Sequence, residues 1–269
     1  MFMKKLGLIA GNRTFPLHVA RAAKAQGYEV IAVALREETD PALESEVAKT
    51  HWVSLKEVGT VPDLLKKEGI KELILAGQIK PERVLQSEEQ LDLVTRSLLK
   101  LLPDRKGNSL MKMAVHYLEA QGFHVLDSGT FLKEWIPMPG VLTKRQPTAD
   151  EQADLSYGMP IALQLARIGI GQTIVVYRKS VVSVEAMEGT DATIRRAGQV
   201  VGPGSVVIKA CGPDHDMRFD IPVVGIETIS AMQESGAACF GMEAKRTLLF
   251  DRVKLIEEAD KRNLTLVAL

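Results

Sequence analysis

The stretch KLGLIAGNRTFPLHVARAAKAQGYEVIAVAL (Lys5–Leu35) decides the fold. It opens with a short apolar run, Lys5–Ala10, ended by Gly11. Pro16 then begins a helical pattern, PLHVARAAKAQ, with proline at a first-turn position and Gly27 as the stop signal. Glu29–Leu35 (EVIAVAL) is a continuous apolar run of strand length, as expected of a parallel strand covered on both faces. Strand, turn, helix and strand in so short a span make a βαβ unit.

The alternation continues outward from this unit. His51–Leu55 reads as a third strand and Val61–Glu68 as a short helix stopped by Gly69. Lys71–Ala76 (KELILA) reads as a strand ending at Gly77. Glu88–Leu102 and Ser109–Gln121 are amphipathic helices, followed by a short strand at Phe123–Leu126. The fold class is therefore α/β, with a Rossmann-like, doubly wound N-terminal domain over residues 1–133. Next comes WIPMPGVLTKRQP (Trp135–Pro147), with three prolines, a glycine and no periodic pattern. It is expected to be a Pro-rich linker over residues 134–147, the alternative being a long loop inside one domain.

A C-terminal α/β domain is expected over residues 148–269. Its helices are read at Asp150–Arg167, Thr190–Val200, Glu227–Gln233 and Leu249–Lys261. Its strands are read at Gln172–Tyr177, Val181–Ala186, Ser205–Ala210, Ala238–Met242 and Leu264–Ala268. Two domains suit a chain of 269 residues.

Composition excludes several functions. Lys plus Arg and Asp plus Glu both total 34, so the formal charge is zero. A nucleic-acid partner is not expected, because phosphate neutralisation normally requires a basic excess. Aromatic residues make up only 5%, too few for a platform that stacks single-stranded bases. Cys211 and Cys239 form no C-x-x-C pair, which argues against a zinc or disulfide scaffold and for a reducing cytoplasm. The apolar run after Lys4 and Lys5 is too short for a signal-peptide core, and no stretch approaches the roughly 18 residues that span a bilayer.

Three places carry candidate chemistry. The turn Gly11-Asn12-Arg13-Thr14 follows the first strand and precedes a helix. It is either an anion cradle, with Arg13 adding charge, or an ordinary strand–helix turn. Gly77 and Gln78, with Lys80 and Arg83 behind them, lie at another strand's carboxyl end. They either meet a polar ligand or form a solvated loop.

The third place is Glu185–Asp220. Glu188, Gly189, Thr190 and Asp191 sit at a strand-to-helix turn, followed by Lys209 and then by Asp214, His215, Asp216, Arg218 and Asp220. Capping explains Thr190 alone. It does not explain a second acidic cluster, Asp214, Asp216 and Asp220, whose alternate spacing in extended chain could aim two of the carboxylates the same way. Carboxylates so grouped repel one another unless a cation joins them, and Mg²⁺ is the usual partner where phosphate is also bound. The bland alternative is a solvated acidic loop with surface ion pairs. His18, His51, His116 and His124 lie in separate elements without metal-binding spacing. His215, between two aspartates, could meet metal or substrate.

These segments also carry a resemblance. GLIAGNRTFP (Gly7–Pro16), LILAGQIKP (Leu73–Pro81), GIGQTIVVYR (Gly169–Arg178), VEAMEGTDATIRRA (Val184–Ala197) and VIKACGPDHDMRFDIPVVGIETI (Val207–Ile229) together resemble the LpxI-type UDP-2,3-diacylglucosamine pyrophosphatases of lipid A biosynthesis. Glu188–Asp191 match the motif E-G-T-D, Asp216–Pro222 match D-x-R-x-D-[LI]-P, and Gly171-Gln172 match G-Q. Asn12, Asn108, Gly212 and His215 depart from the family's usual residues.

The resemblance implies Mg²⁺-assisted attack of water on the α-phosphorus of UDP-2,3-diacylglucosamine. The products are UMP and 2,3-diacylglucosamine 1-phosphate. Location would be cytoplasmic, with peripheral contact at the inner membrane, and a homodimer is among the assemblies it allows. Asp216, Asp220 and Asp191 would then hold the metal or orient the water, with Glu188 beside them. Gly11, Asn12, Arg13, Gly77, Gln78, Gln172, Gly189, Thr190, Lys209, His215 and Arg218 would bind substrate. The arms Glu188–Asp191 and Asp216–Asp220 are expected to converge on one site. Two alternatives remain at this stage. One is a binding module without catalysis. The other is a nicotinamide-dependent oxidoreductase using Glu37 or Glu38 on a ribose, against which stands the missing G-x-G-x-x-G.

Overall fold

The computed structural model describes residues 3–77, 90–102, 104, 107–212 and 215–269. It divides into two compact units. The first comprises Met1–Leu132 with Met217–Asp220, and the second Lys133–Asp216 with Ile221–Leu269.

In the first unit, β1 (Lys4–Ala10), β2 (Tyr28–Leu35), β3 (Lys49–Val53), β4 (Glu72–Ala76) and β5 (His124–Val125) form one sheet in the order β3-β2-β1-β4-β5, every pair parallel. The expected Rossmann-like order is therefore present. Strand β2 is buried from Val30 to Leu35, which explains its unbroken apolar run. Helix α1 (Phe15–Ala25) has its proline in the first turn and ends beside Gly27, whose φ is 84°. Helices α2 (Val61–Lys67), α3 (Leu93–Lys100) and α4 (Gly107–Ala120) follow. The Asp92 carboxylate caps α3 by accepting from the Thr95 N–H at 2.9 Å.

The second unit holds a six-stranded sheet in the order β6-β13-β11-β9-β7-β8. Its strands are β6 (Gly140–Val141), β7 (Thr173–Tyr177), β8 (Ser180–Val184), β9 (Val206–Lys209), β11 (Cys239–Met242) and β13 (Thr265–Ala268). A two-stranded parallel ladder joins β10 (Val223–Val224) to β12 (Leu248–Leu249). Helices α5 (Ala149–Ile168), α6 (Thr190–Val201), α7 (Ile226–Ser235) and α8 (Arg252–Lys261) complete the unit. Arg178 and Lys179 both have positive φ at the β7–β8 hairpin, and the buried Asp154 carboxylate accepts from both their N–H groups at 2.9 and 2.6 Å. That pair of bonds steadies a turn otherwise suited to glycine or asparagine.

Three expectations require correction. The stretch read as a linker contributes an edge strand to the second sheet. Gly140–Val141 pair antiparallel with β13, and Leu142 N–H donates to Leu266 C=O at 2.9 Å. The prolines, Pro137, Pro139 and Pro147, all fall outside this two-residue edge strand and so remove no N–H from its ladder. Leu249 is not the start of the last helix but a residue of β12, and α8 begins only after Asp251, at φ 47°. Finally, Met217–Phe219 form a turn, so Asp216 and Asp220 do not lie on one extended strand. Ser128 holds that turn. Its N–H donates to Met217 C=O at 2.9 Å, and its hydroxyl lies 2.7 Å from Arg218 C=O and 2.8 Å from Leu75 C=O.

The former linker also supplies a buried ion pair. Arg145 donates to both oxygens of Glu151, at 2.9 and 2.6 Å, and also contacts Thr265. Glu151 is only 7% exposed and closes a capping box with Thr148. Burial pushes its carboxyl upward, but the Arg145 guanidinium and the Thr148 N–H outweigh this and hold it below its ordinary value. The ionised form therefore stabilises the fold above the unfolded glutamate pKa, and the contribution fades as pH falls through the lowered folded value. Glu151→Gln is expected to cost about 3 kcal/mol at neutral pH by leaving Arg145 unanswered. Denaturant titrations should find that difference shrinking below about pH 4.3.

Candidate functional site

In the first unit the two turns singled out in the sequence come together. Gly11 N–H donates to Ala76 C=O at 2.8 Å, joining the carboxyl ends of β1 and β4. A side chain at Gly77, where φ is 85°, would place its Cβ 2.5 Å from the Asn12 carbonyl oxygen, so only glycine permits this approach. Neighbouring strands β1 and β4 flank the point where strand order reverses, the usual ligand position in such sheets. Asn12 donates to Glu38 at 3.1 Å, and Arg13 is exposed at φ 64°. Glu37 instead accepts from the Ser54 hydroxyl at 2.7 Å. Gln78 lies outside the described residues.

The same unit contains an apolar cavity of about 530 Å³. Its walls include Ile9, Leu35, Leu75, Met111 and Phe219, with Gly77 and Asp220 among the lining residues. Arg218, from the same turn as Asp220, donates to Glu119 at 2.7 Å.

In the second unit the site is built around Lys209, the last residue of β9, only 8% exposed. Its ammonium donates to the Thr190 hydroxyl at 2.9 Å. Thr190 in turn donates to Glu185 at 3.0 Å and lies 3.2 Å from the Thr173 hydroxyl. Glu185 also accepts from the Gln172 N–H at 3.3 Å, and the Gln172 amide lies 3.4 Å from His215 Nε2. Gly171 makes this possible: a Cβ there would sit 2.1 Å from the Glu185 carbonyl oxygen. Thr190 opens α6 behind Gly189, whose φ is 83°. A buried cation at the positive end of a helix makes this a place for an anion such as phosphate.

The E-G-T-D carboxylates do not act as one group. Glu188 donates nothing to this cluster. It pairs with Arg196 at 2.6 Å and accepts from the Ala186 N–H at 3.1 Å. Its own backbone N–H and the Arg196 guanidinium hold its carboxyl below the ordinary value. Asp191 accepts from the Thr228 hydroxyl at 3.0 Å. Asp216 and Asp220 are assigned to different units. Among the described residues, no group of three or more His, Cys, Asp or Glu side chains in either unit is arranged to hold a metal. Sequence reasoning took Glu185 as the first residue of the candidate segment without giving it a role, and passed over Thr173.

Cys211 is held in its thiol form, which is a poor nucleophile. Burial pushes its thiol up to about 11, although Arg246 opposes the shift.

A Rossmann-ordered unit with two apposed glycine turns, and a second unit with a buried lysine at a helix start, together define a two-unit α/β protein. Residues 5–135 match the LpxI N-terminal domain and residues 138–267 the LpxI C-terminal domain, and the chain belongs to the LpxI family. It is 31% identical over 269 residues to UDP-2,3-diacylglucosamine pyrophosphatase LpxI of Caulobacter vibrioides, covering 96% of this chain and 95% of that protein. Among solved structures, glycinamide-RNase-transformylase T of Mycobacterium tuberculosis matches at 14% identity and a TM-score of 0.26, covering 68% of this chain and 44% of the other. A pyruvate carboxylase of Rhizobium etli matches at 17% identity and a TM-score of 0.25, over 33% and 10%. Neither likeness is close enough to carry an argument. No helix among the described residues is long and apolar enough to cross a membrane.

Two outcomes follow from the geometry. Gly171→Ala should lower the unfolding midpoint markedly, a loss of about 2 kcal/mol or more, since its methyl meets backbone rather than a movable side chain. With burial holding the Cys211 thiol near 11, labelling of folded protein by a thiol reagent should rise about tenfold per pH unit from pH 7 to 9. An ordinary thiol would begin to plateau in that range.

Proposed function

We propose that this chain hydrolyses UDP-2,3-diacylglucosamine to UMP and 2,3-diacylglucosamine 1-phosphate. The observation that carries this reading is the near-complete match to a relative bearing that name. Two structural features support it. The apolar cavity of the first unit suits an acyl chain, and a lining carboxylate, Asp220, gives it a polar limit. The Lys209–Thr190 pair suits a phosphate oxygen.

In the proposed reaction, the oxygen of a water molecule bonds to the α-phosphorus. The bond from that phosphorus to the bridging oxygen breaks, and the sugar 1-phosphate leaves. Asp220 orients the water and receives its proton. Within the second unit, Lys209 and the helix N-terminus at Thr190 suit the charge of phosphate oxygens, and Gln172 and His215 lie close to each other as polar groups for the substrate. Arg218 keeps the Asp220 turn in place through Glu119.

Asp220 in the first unit and Asp216 in the second each offer a hard carboxylate donor, and Mg²⁺ asks for only one or two of these when phosphate supplies the rest. When bound, the ion would screen phosphate charge and acidify coordinated water. Asp191 and Glu188 have a lesser claim to it, because Thr228 and Arg196 already engage them. The substrate would be drawn from the cytoplasmic face of the inner membrane.

The test is UMP release from the acylated substrate, with Mg²⁺ and with a chelator. Release should require the metal, and Asp220→Ala should lower kcat/KM about a thousandfold. UDP-glucosamine lacking acyl chains should be turned over at least about tenfold less efficiently, because its remote binding energy is missing. Parent-like turnover by Asp220→Ala would sink the assignment.

A further inference from the structure

Strand β9 ends at Lys209, and the loop that follows leaves the sheet with backbone N–H groups no ladder can satisfy. Of this loop, Cys211, Gly212, His215 and Asp216 are described. Two side chains on the segment between β11 and β12 engage it. The Glu243 carboxylate accepts from the Cys211 N–H at 2.9 Å and from the Gly212 N–H at 3.1 Å through one oxygen. Arg246 donates to Gly212 C=O at 2.7 Å, to His215 C=O at 3.4 Å and to the Cys211 sulfur at 3.2 Å. The two side chains also pair with each other, at 3.2 Å.

We propose that Glu243 and Arg246 are positioning residues that clamp the backbone at Cys211, Gly212 and His215, so that His215 meets the substrate in one geometry. The inference rests on the pyrophosphatase reading for the role of the loop, but not for the clamp itself. Position explains the pair. Strands β9 and β11 are parallel neighbours, with Lys209 in register with Met242, so their carboxyl ends emerge side by side. The residue after β11 therefore reaches the loop after β9. Charge adds strength, since both partners bond backbone groups in their ionised forms. The planar guanidinium spans two carbonyls and a sulfur, which a lysine ammonium cannot do in one orientation.

The test compares the full-length parent with Arg246→Ala, Arg246→Lys and Glu243→Gln, measuring kcat, KM, thermal unfolding and amide exchange at Cys211 and Gly212. Arg246→Ala is expected to lower kcat about a hundredfold with KM changed by less than about threefold, since misplacement of this size acts on the chemical step. Millimolar guanidinium ion should restore part of that rate and ammonium should not. Exchange at the two amides should quicken, and Glu243→Gln should lose less because its carbonyl oxygen still accepts. A kcat for Arg246→Ala within about threefold of the parent overturns the proposal. So does a loss that guanidinium leaves untouched while exchange stays unchanged. If the alanine variant does not fold, the same split between kcat and KM is read in Arg246→Lys. If the parent itself releases no UMP, the pyrophosphatase reading fails. Exchange then decides the clamp alone: faster in Arg246→Ala supports it, unchanged overturns it.

Discussion

Lys209 carries its charge at the end of a strand whose other residues, Val206, Val207 and Ile208, are fully buried. Taking an ammonium out of water costs several kcal/mol unless oxygen atoms answer it. Much of the second unit's local architecture follows from that demand. Thr190 must open a helix where its hydroxyl reaches Lys209, and Gly189 supplies the backbone turn that brings it there. Glu185 must accept from Thr190, and Gly171 must lack a side chain so that the β7 and β8 ends can close on Glu185. A site that favours an anion thus arises from the same contacts that make the lysine tolerable inside the fold.

The first unit was the more legible in sequence because its signals are long and local. A first apolar run, a helix with proline at its start and glycine at its end, and a second apolar run leave little choice of topology. Strands β6, β10 and β12 were missed because two residues carry no period, and their pairing depends on partners far along the chain. Proline count hid β6 within Trp135–Pro147, since its two residues lie between prolines that stay outside the ladder. The alternate spacing of Asp216 and Asp220 misled differently: it assumes extended chain, and a bond to the distant Ser128 bends it.

The candidate site was legible in type and only partly in arrangement. Thr190 and Lys209 meet, as do Gly11 and Gly77, and each pair unites residues from separate motifs. Glu188 and Asp191, by contrast, look catalytic in a motif yet are engaged by Arg196 and Thr228. Glu243 and Arg246 left no trace at all. Their relation to Cys211 and Gly212 comes from strand order, which places β11 beside β9, and strand order in a mixed sheet is not written in any short segment.

Met217–Asp220 lie far along the chain yet belong to the unit that begins it. During synthesis, that unit cannot be finished when its own continuous stretch has emerged. At about 5–20 residues per second, it waits several seconds for the turn that seats Ser128 and supplies Phe219 and Asp220 to its cavity. Until then the apolar walls lack part of their lining. The nascent protein therefore carries an incompletely closed greasy surface through the time when most of its second half is being made, and it is in that interval that a chaperone or a ligand would matter most.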